Sequence, residues 1–508
     1  MSLAFPNAGL WPLAFVALVP LFVALHHGSP GPDDPARAPR GARWAPWIMG
    51  IVYYVLTFWW IVRLPASAMT HPVLIYPALL TLGLYLGLYV AFFGWIVRFV
   101  RRRLGWPVLV TAPCAWMVAE WLKSSGELGC PWGNAGYALA QHPAWIQGAS
   151  IAGASGLTLW VVTVNALVAG LIVARGVAPR IFLSIVVAAT VALPPLWGSN
   201  RIRHAAPAPL TRVALVQPNV PSGEKWAPAL QDSVVARIER LTRDAAAFSP
   251  RPDLVIWPET ALPFYVRLEP AKMKRLQSLA QEIGVPILLG YPDAQLDAHG
   301  NVLTYNAAGL VLASGRLWGQ YEKIHLVPFG ERIPFQTFFP FLGHVDLGQA
   351  EWTPGTRPVV FLGAGPAFGV LICFESIFPD HARRYAVEGA QYLVNITNDE
   401  WFGKTAGPVQ HADLAILRAV ELGMGLARCA NTGVSMFIDP YGRVEARTPL
   451  FARAVLSGVV REGVGTTTFA RWGDWTTSIS LALIAVLIAV AWFRPIGAGP
   501  GVGGAPRG

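Results

Sequence analysis

Charge is scarce in this chain: 13% of its 508 residues are Asp, Glu, Lys or Arg, against 54% hydrophobic. With a mean hydropathy of +0.44, that balance excludes an ordinary soluble protein, in which charged residues make up about 25%. Cysteine is scarcer still. Cys114, Cys130, Cys373 and Cys429 are the only four, and their spacing fits neither a zinc site nor a disulfide framework. The ten histidines include no HxxEH-type pair, so neither a metal nor any other cofactor is implied. A net charge of +10 would suit a nucleic-acid binder if the basic residues formed a patch; they are scattered between apolar runs instead, which excludes that class. Internal repeats are absent, and the one low-complexity stretch is the Gly/Pro tail, 495–508, read as disordered.

What is present is a series of long charge-free runs. A membrane span needs about 20 apolar residues, and seven runs are read as spans: Leu10 to Leu25, Trp47 to Val62, Val73 to Val97, Trp106 to Leu122, Ile151 to Val173, Ile181 to Trp197 and Thr476 to Phe493. Six lie in 1–200, a helical membrane bundle, and the seventh in 475–494. No basic segment precedes the first, so it is read as a retained helix rather than a signal peptide. Arginines punctuate alternate loops: Arg37, Arg40 and Arg43, then Arg98, Arg101, Arg102 and Arg103, then Arg175 and Arg180. By the positive-inside rule these loops are cytoplasmic, so the segment after the sixth span lies on the outer side. Cys373 and Cys429 then face an oxidising compartment, where a free thiol needs a reason.

Residues 209–462 read as an α/β domain. Short apolar strands are expected at Arg212 to Gln217, Asp253 to Trp257, Pro286 to Gly290, Asn306 to Ala313, Phe368 to Cys373, Tyr392 to Thr397 and Val434 to Asp439. Several are apolar throughout, as strands covered on both faces are. Amphipathic helices fall between them, one with Val234, Val235, Ile238, Leu241 and Ala245 on a single face, another with Met273, Leu276, Leu279, Ala280 and Ile283. Three segments at strand ends carry reactive side chains: "VIWPET" with Glu259, "YEKIHLVPFGE" with Lys323 and Glu331, and "GVLICFE" with Cys373 and Glu375. A carboxylate can take a thiol proton and an ammonium can stabilise developing negative charge, so together they could make a nucleophilic site. Singly, each also fits a helix-cap glutamate, a surface lysine or a packed cysteine. His325, two residues beyond Lys323 and without an evident paired acid, is read as structural.

In that chain order, "WPET", the lysine of "KIHLVPFGE" and "CFES" resemble the Glu-Lys-Cys triad of the nitrilase superfamily. With membrane helices on both sides, the chain is similar to that superfamily's membrane-embedded branch, the apolipoprotein N-acyltransferase family. "LVQPNVPSGEKW", "NITNDEWFG", "RAVELG", "ANTGVSMFIDPYG", "RWGDW" and the outward loop "GCPWGNAGYALAQHP" all resemble its motifs. The resemblance implies an αββα sandwich inserted between transmembrane helices. It implies transfer of an acyl chain from a phospholipid, through a cysteine thioester, to the α-amino group of the diacylglyceryl cysteine of an apolipoprotein. Cys373 would be the nucleophile, Glu259 the general base and Lys323 the oxyanion partner, with backbone N–H groups after Cys373 assisting. Glu331, Glu375 and Trp226 match supporting positions, whereas Phe374 stands where the family often has tyrosine. With lipid substrates, the cluster Phe335, Phe338, Phe339, Phe341 and Leu342 reads as an aromatic lid dipping into the outer leaflet.

The expected partners are thus phospholipid, apolipoprotein and membrane, not nucleic acid. The expected form is a monomer in the bacterial inner membrane with its catalytic domain in the periplasm. A membrane-tethered amidase using water as acceptor is the alternative, and a transporter or scaffold with an inactive domain would leave the triad dispensable. The arginine loops put the N-terminus outside, while the resembled family starts in the cytoplasm with eight helices. "AFPNAGLWPLA" is like the family's turn into its second helix, so the chain is expected to lack the first.

Overall fold

Val213 and Leu215 face one way from the first strand of the α/β region, and Ala214 and Val216 face the other. Both sides are buried, which is why the strand reads as a continuous apolar run although side chains alternate with a period of two. The same division splits Leu254 and Ile256 from Val255. One set packs between two sheets and the other beneath helices. The structure, a computed structural model, describes residues 1–6, 8–29, 43–64, 72–344 and 350–494.

Among the described residues, twelve strands build the two sheets: β1 (Pro209–Gln217), β2 (Leu254–Ile256), β3 (Ile287–Leu296), β4 (Val302–Val311), β5 (Leu317–Glu322), β6 (Val360–Phe361), β7 (Phe368–Ile372), β8 (Tyr392–Thr397), β9 (Leu426–Ala430), β10 (Met436–Ile438), β11 (Val444–Arg447) and β12 (Ala454–Arg461). The first sheet has the order β12-β1-β2-β3-β4-β5 and the second β11-β10-β9-β8-β7-β6. Each has a parallel centre, β1-β2-β3 and β7-β8-β9, with antiparallel strands outside it. Helices Gln231–Ala246 and Pro270–Ile283 cover the first sheet; Pro379–Val387 and Gly407–Leu422 cover the second. The result is the expected αββα sandwich. β5, β6, β9, β11 and β12 were not among the expected strands.

Among the described residues, five helices are long and apolar enough to cross a membrane: Ala45–Arg63, Ile75–Leu104, Ala149–Val173, Val177–Arg203 and Trp475–Phe493. Two of the seven expected spans differ. The run from Leu10 is broken into a 3-10 turn, Trp11–Phe15, and a short helix, Val19–His27, each with proline at its start. The run from Trp106 forms Val108–Ser124, 17 residues whose last turns bury Glu120 and Lys123. These charges hold the following loop: Glu120 accepts from Ala135 N–H at 2.8 Å and the Thr158 hydroxyl at 2.9 Å, and Lys123 donates to the Trp132 carbonyl at 2.9 Å. Arg101, Arg102 and Arg103 end the helix Ile75–Leu104, where Arg103 donates to the Ala491 carbonyl at the end of the last helix. Arg37, Arg40 and the tail 495–508 lie outside the described residues.

Candidate active site

Glu259 lies just beyond β2, Lys323 just beyond β5 and Cys373 just beyond β7, so three strand ends deliver three reactive groups to one edge of the sandwich. The chain turns sharply after Glu259, with Thr260 at φ +42°. Gly290 of β3 lies under that turn. A Cβ there would stand 2.6 Å from the Pro258 carbonyl oxygen, so only glycine lets the acid's backbone lie on the sheet edge. Cys373 itself has φ +52°, a left-handed conformation uncommon for a residue with a side chain.

Lys323 is 1% exposed, and its ammonium donates to Glu259 Oε1 at 3.2 Å and to Glu331 Oε1 at 2.8 Å. Asn306 donates to the same two carboxylates, at 2.7 and 3.2 Å. Glu259 Oε2 accepts from Asn398 N–H and Glu331 Oε2 from Val327 N–H, each at 2.8 Å. Burial works against the lysine's charge, but Glu331 and Glu259 outweigh it and hold the ammonium well above its usual range. Burial pushes the Glu331 carboxyl up, with Lys323 pulling the other way. The Cys373 thiol is pushed well up by burial and by the negative charge of Glu259, with Lys323 partly offsetting both. Its proton is therefore held at neutral pH.

Glu375 links the turn of Cys373 to that of Lys323. Its fully buried carboxylate accepts from Ile372 N–H at 2.8 Å, Ile324 N–H at 2.7 Å, His325 N–H at 3.1 Å and the Tyr321 hydroxyl at 2.6 Å. Burial acts to raise its pKa; His381 and these donors bring it down to about 2. A folded pKa depressed from 4.5 contributes stability that is present above about pH 4.5 and lost as the pH falls through about 2. Glu375→Gln should cost about 3 kcal/mol at pH 7, because its amide turns a donor toward donors in a buried site. Thermal unfolding from pH 7 to pH 2 should show the variant losing less stability with acid than the parent; parallel curves would contradict this account. His325 stacks on Phe378 at 4.5 Å, and burial, then His381, lowers its pKa to about 4.

Cys373, Glu259, Lys323 and Glu331 open on a cavity of about 220 Å³. Its opposite wall is apolar and comes largely from the helical part: Phe58, Trp60, Ile61, Leu82 and Trp132, joined by Phe402. Trp60, Trp132 and Phe402 pack mutually with ring centroids 5.1–5.7 Å apart. Trp226 and the phenylalanines 335, 338, 339 and 341 do not line this cavity. Trp226 follows the helix Ser222–Lys225 and is 47% exposed; Phe338, Phe339 and Phe341 are 72%, 53% and 66% exposed. Phe335 is anchored by its N–H to Glu127 at 2.6 Å.

Sequence reasoning missed the wall, the Asn306 and Asn398 donors, and His411, Asp399 and Arg428 behind Cys373. A signal existed for His411: it shares the helix Gly407–Leu422 with Arg418 and Glu421, polar residues on a face otherwise apolar. Donor atoms of Cys373, Asp399 and His411 lie within 4.8 Å of one another. They do not fit a metal, because the Arg428 guanidinium stands 2.9 Å from Asp399 and 3.1 Å from His411 Nδ1 and already supplies the positive charge.

A double-sheet domain that carries an acid, a lysine and a thiol on its strand ends belongs to the carbon-nitrogen hydrolase class, and residues 212–468 match the Carbon-nitrogen hydrolase family. Residues 1–167 match the Apolipoprotein N-acyltransferase N-terminal domain. An apolipoprotein N-acyltransferase from Geobacter metallireducens is 35% identical, covering 97% of this chain and 94% of its own. Another from Chlorobaculum tepidum is 30% identical, covering 96% and 93%. An amidase from Nesterenkonia sp. superposes at 18% identity with a TM-score of 0.37, over 55% of this chain and 98% of the amidase. The chain belongs to the apolipoprotein N-acyltransferase family, and is a membrane-embedded acyltransferase.

Proposed function

We propose that the protein takes an acyl chain from a phospholipid onto Cys373 and passes it to the N-terminal amine of a diacylglyceryl-modified apolipoprotein. In the first half-reaction Glu259 accepts the thiol proton as sulfur adds to the ester carbonyl. Lys323 and the backbone N–H groups that follow Cys373 hold the oxyanion. The intermediate collapses to a thioester, and Glu259 returns its proton to the leaving lysophospholipid oxygen. In the second half-reaction the amine attacks the thioester, Glu259 takes the amine's proton, and sulfur leaves as the thiol once that proton is delivered to it. Glu331 keeps Lys323 charged and in place throughout.

The observation that carries this reading is the cavity wall. A thiol facing Phe58, Trp60, Ile61, Leu82 and Trp132 is suited to a fatty-acyl chain, whereas a small polar amide would leave that wall unfilled. The reading places the protein in the bacterial inner membrane as a monomer, since one chain supplies every group the chemistry uses, and it leaves nucleic acid no part. It puts the α/β domain in the periplasm, supported by the arginines grouped at the end of Ile75–Leu104. The test is mass spectrometry of the purified protein incubated with phospholipid alone. An acyl adduct should form on the peptide containing Cys373, persist, and discharge as N-acylated product when a diacylglyceryl peptide is added. An adduct lost equally fast to water would favour the amidase alternative.

The exposed phenylalanines are proposed as a lipid-facing lid. Replacing Phe338, Phe339 and Phe341 together with serine should cut activity on bilayer phospholipid by roughly tenfold, because apolar insertion is lost. Activity on short-chain, detergent-dispersed substrate should change far less. Equal losses on both substrates would assign these rings to packing.

A further inference from the structure

We propose that His411 is a positioning residue for the acyl-transfer reaction: by holding the Cys373 carbonyl it aims the Phe374 N–H at the oxyanion. The proposal rests on the acyl-transfer reading of Cys373. The His411 ring is buried in the helix Gly407–Leu422, with Nε2 3.2 Å from the Cys373 carbonyl oxygen. The Ser376 hydroxyl donates to that same oxygen at 3.0 Å. On the ring's other side Nδ1 is bracketed by Asp399 Oδ1 at 2.8 Å and Arg428 Nη2 at 3.1 Å, and Arg428 is itself tied to Asp399 and to Asn395. Trp132 stacks on the ring face at 5.7 Å, and Phe402 meets it edge-on. Burial and Arg428 keep the ring neutral, and in the Nε2–H tautomer, with Nδ1 accepting from Arg428, it presents its hydrogen to the Cys373 carbonyl, the Ser376 hydroxyl lying 3.3 Å from the same Nε2.

The consequence follows from the planarity of the peptide. In a trans peptide the carbonyl of Cys373 and the N–H of Phe374 point in opposite directions, so fixing one fixes the other. Phe374 lies in the first turn of the 3-10 helix Cys373–Ile377, where N–H groups have no carbonyl of the helix to bond with. That N–H is free for a developing oxyanion. Cys373 holds an uncommon φ of +52°, which persists only if its surroundings impose it. Two donors converging on its carbonyl supply that constraint.

The test compares two reactions of Cys373 in the full-length protein in lipid nanodiscs: acylation by phospholipid, which builds an oxyanion, and alkylation by iodoacetamide, which does not. His411→Ala should slow acyl-adduct formation by about 100-fold, the scale of a lost oxyanion donor, and leave alkylation within about twofold. His411→Gln, whose amide N–H can reach the Nε2 position, should recover most of the acylation rate. Ser376→Ala should slow acyl-adduct formation by less than His411→Ala does and likewise leave alkylation within about twofold. If His411→Ala does not fold, the other two variants carry the comparison. A fall in both reactions together would mean that His411 acts on the thiol, and a glutamine variant no better than alanine would mean that the hydrogen bond is not what matters; either overturns the proposal, as does no change in acylation. A parent protein that forms no acyl adduct would defeat the acyl-transfer reading itself, which keeps the two failures distinct.

Discussion

Acyl transfer by a Cys373→Ala variant should fall to background, while its melting temperature stays close to the parent's. In the proposed reaction the sulfur is the group to which the acyl chain is bonded, so removing it closes both half-reactions, and no neighbour replaces it. Glu259 and Glu331 are engaged with Lys323, and the other cysteine lining the cavity, Cys130, has a thiol that burial pushes up and a carbonyl held by the Lys123 ammonium. The structural cost is small. Alanine keeps the Cβ, so the φ of +52° is no harder to hold than before, and one deleted sulfur costs about 1 kcal/mol, the scale of a single methyl-sized deletion. Lys323 keeps both of its carboxylates, and burial no longer has a thiol to act on. The variant should therefore bind phospholipid, form no covalent adduct by mass spectrometry, and make no N-acylated product. Residual transfer above one part in about 1,000 would point to a direct, thioester-free route.

What could be read from the sequence was the chemistry at the ends of apolar strands. β1, β2, β7 and β8 announce themselves because both of their faces are covered; β1 and β8 end in Gln217 and Thr397, and Glu259 and Cys373 follow β2 and β7. Glu259, Lys323 and Cys373 could be grouped because strands in such a sandwich end on a common edge. β5 was hidden by its polar residues: Gln320 and Glu322 look like loop until their partners Asp293 and Gln295 appear on the neighbouring hairpin, at 2.7 Å each. β12 carries a serine and a glycine midway, and Gly458 is needed because Phe437 of the facing sheet leaves 2.5 Å for any Cβ. The cavity wall was invisible for a different reason. Phe58, Leu82 and Trp132 meet Cys373 across about 240 to 315 positions of chain, and no local pattern encodes that meeting. Glu120 was equally illegible. Inside an apolar run it looks like a blemish in a membrane span, yet it holds the loop that brings Trp132 to the site.

A Glu259→Gln variant should form the acyl adduct about 1,000-fold more slowly at pH 7, with part of the loss restored as the pH is raised. The amide has the carboxylate's shape. Its oxygen can still accept from Asn306 and Lys323, but its nitrogen then faces the Asn398 N–H, which leaves one buried donor unpaired at a cost of about 2 kcal/mol. Glu331 keeps Lys323 charged. What is lost is the group proposed to take the thiol proton, and a thiol held well above its usual range supplies almost no thiolate unaided at pH 7. The sign of the pH response follows from the same electrostatics. The negative charge of Glu259 is one of the causes that raise the thiol's pKa, so removing it lets Cys373 ionise at lower pH than in the parent. The variant's adduct rate should therefore climb steeply between about pH 7 and pH 10, while the parent's stays comparatively flat because its base travels with the nucleophile. Rates of adduct formation measured by quenched-flow mass spectrometry across that range separate the two profiles. A variant with the parent's rate at pH 7 would move the base elsewhere, and one equally slow at every pH would show that Glu259 acts by holding Lys323 rather than by accepting the proton.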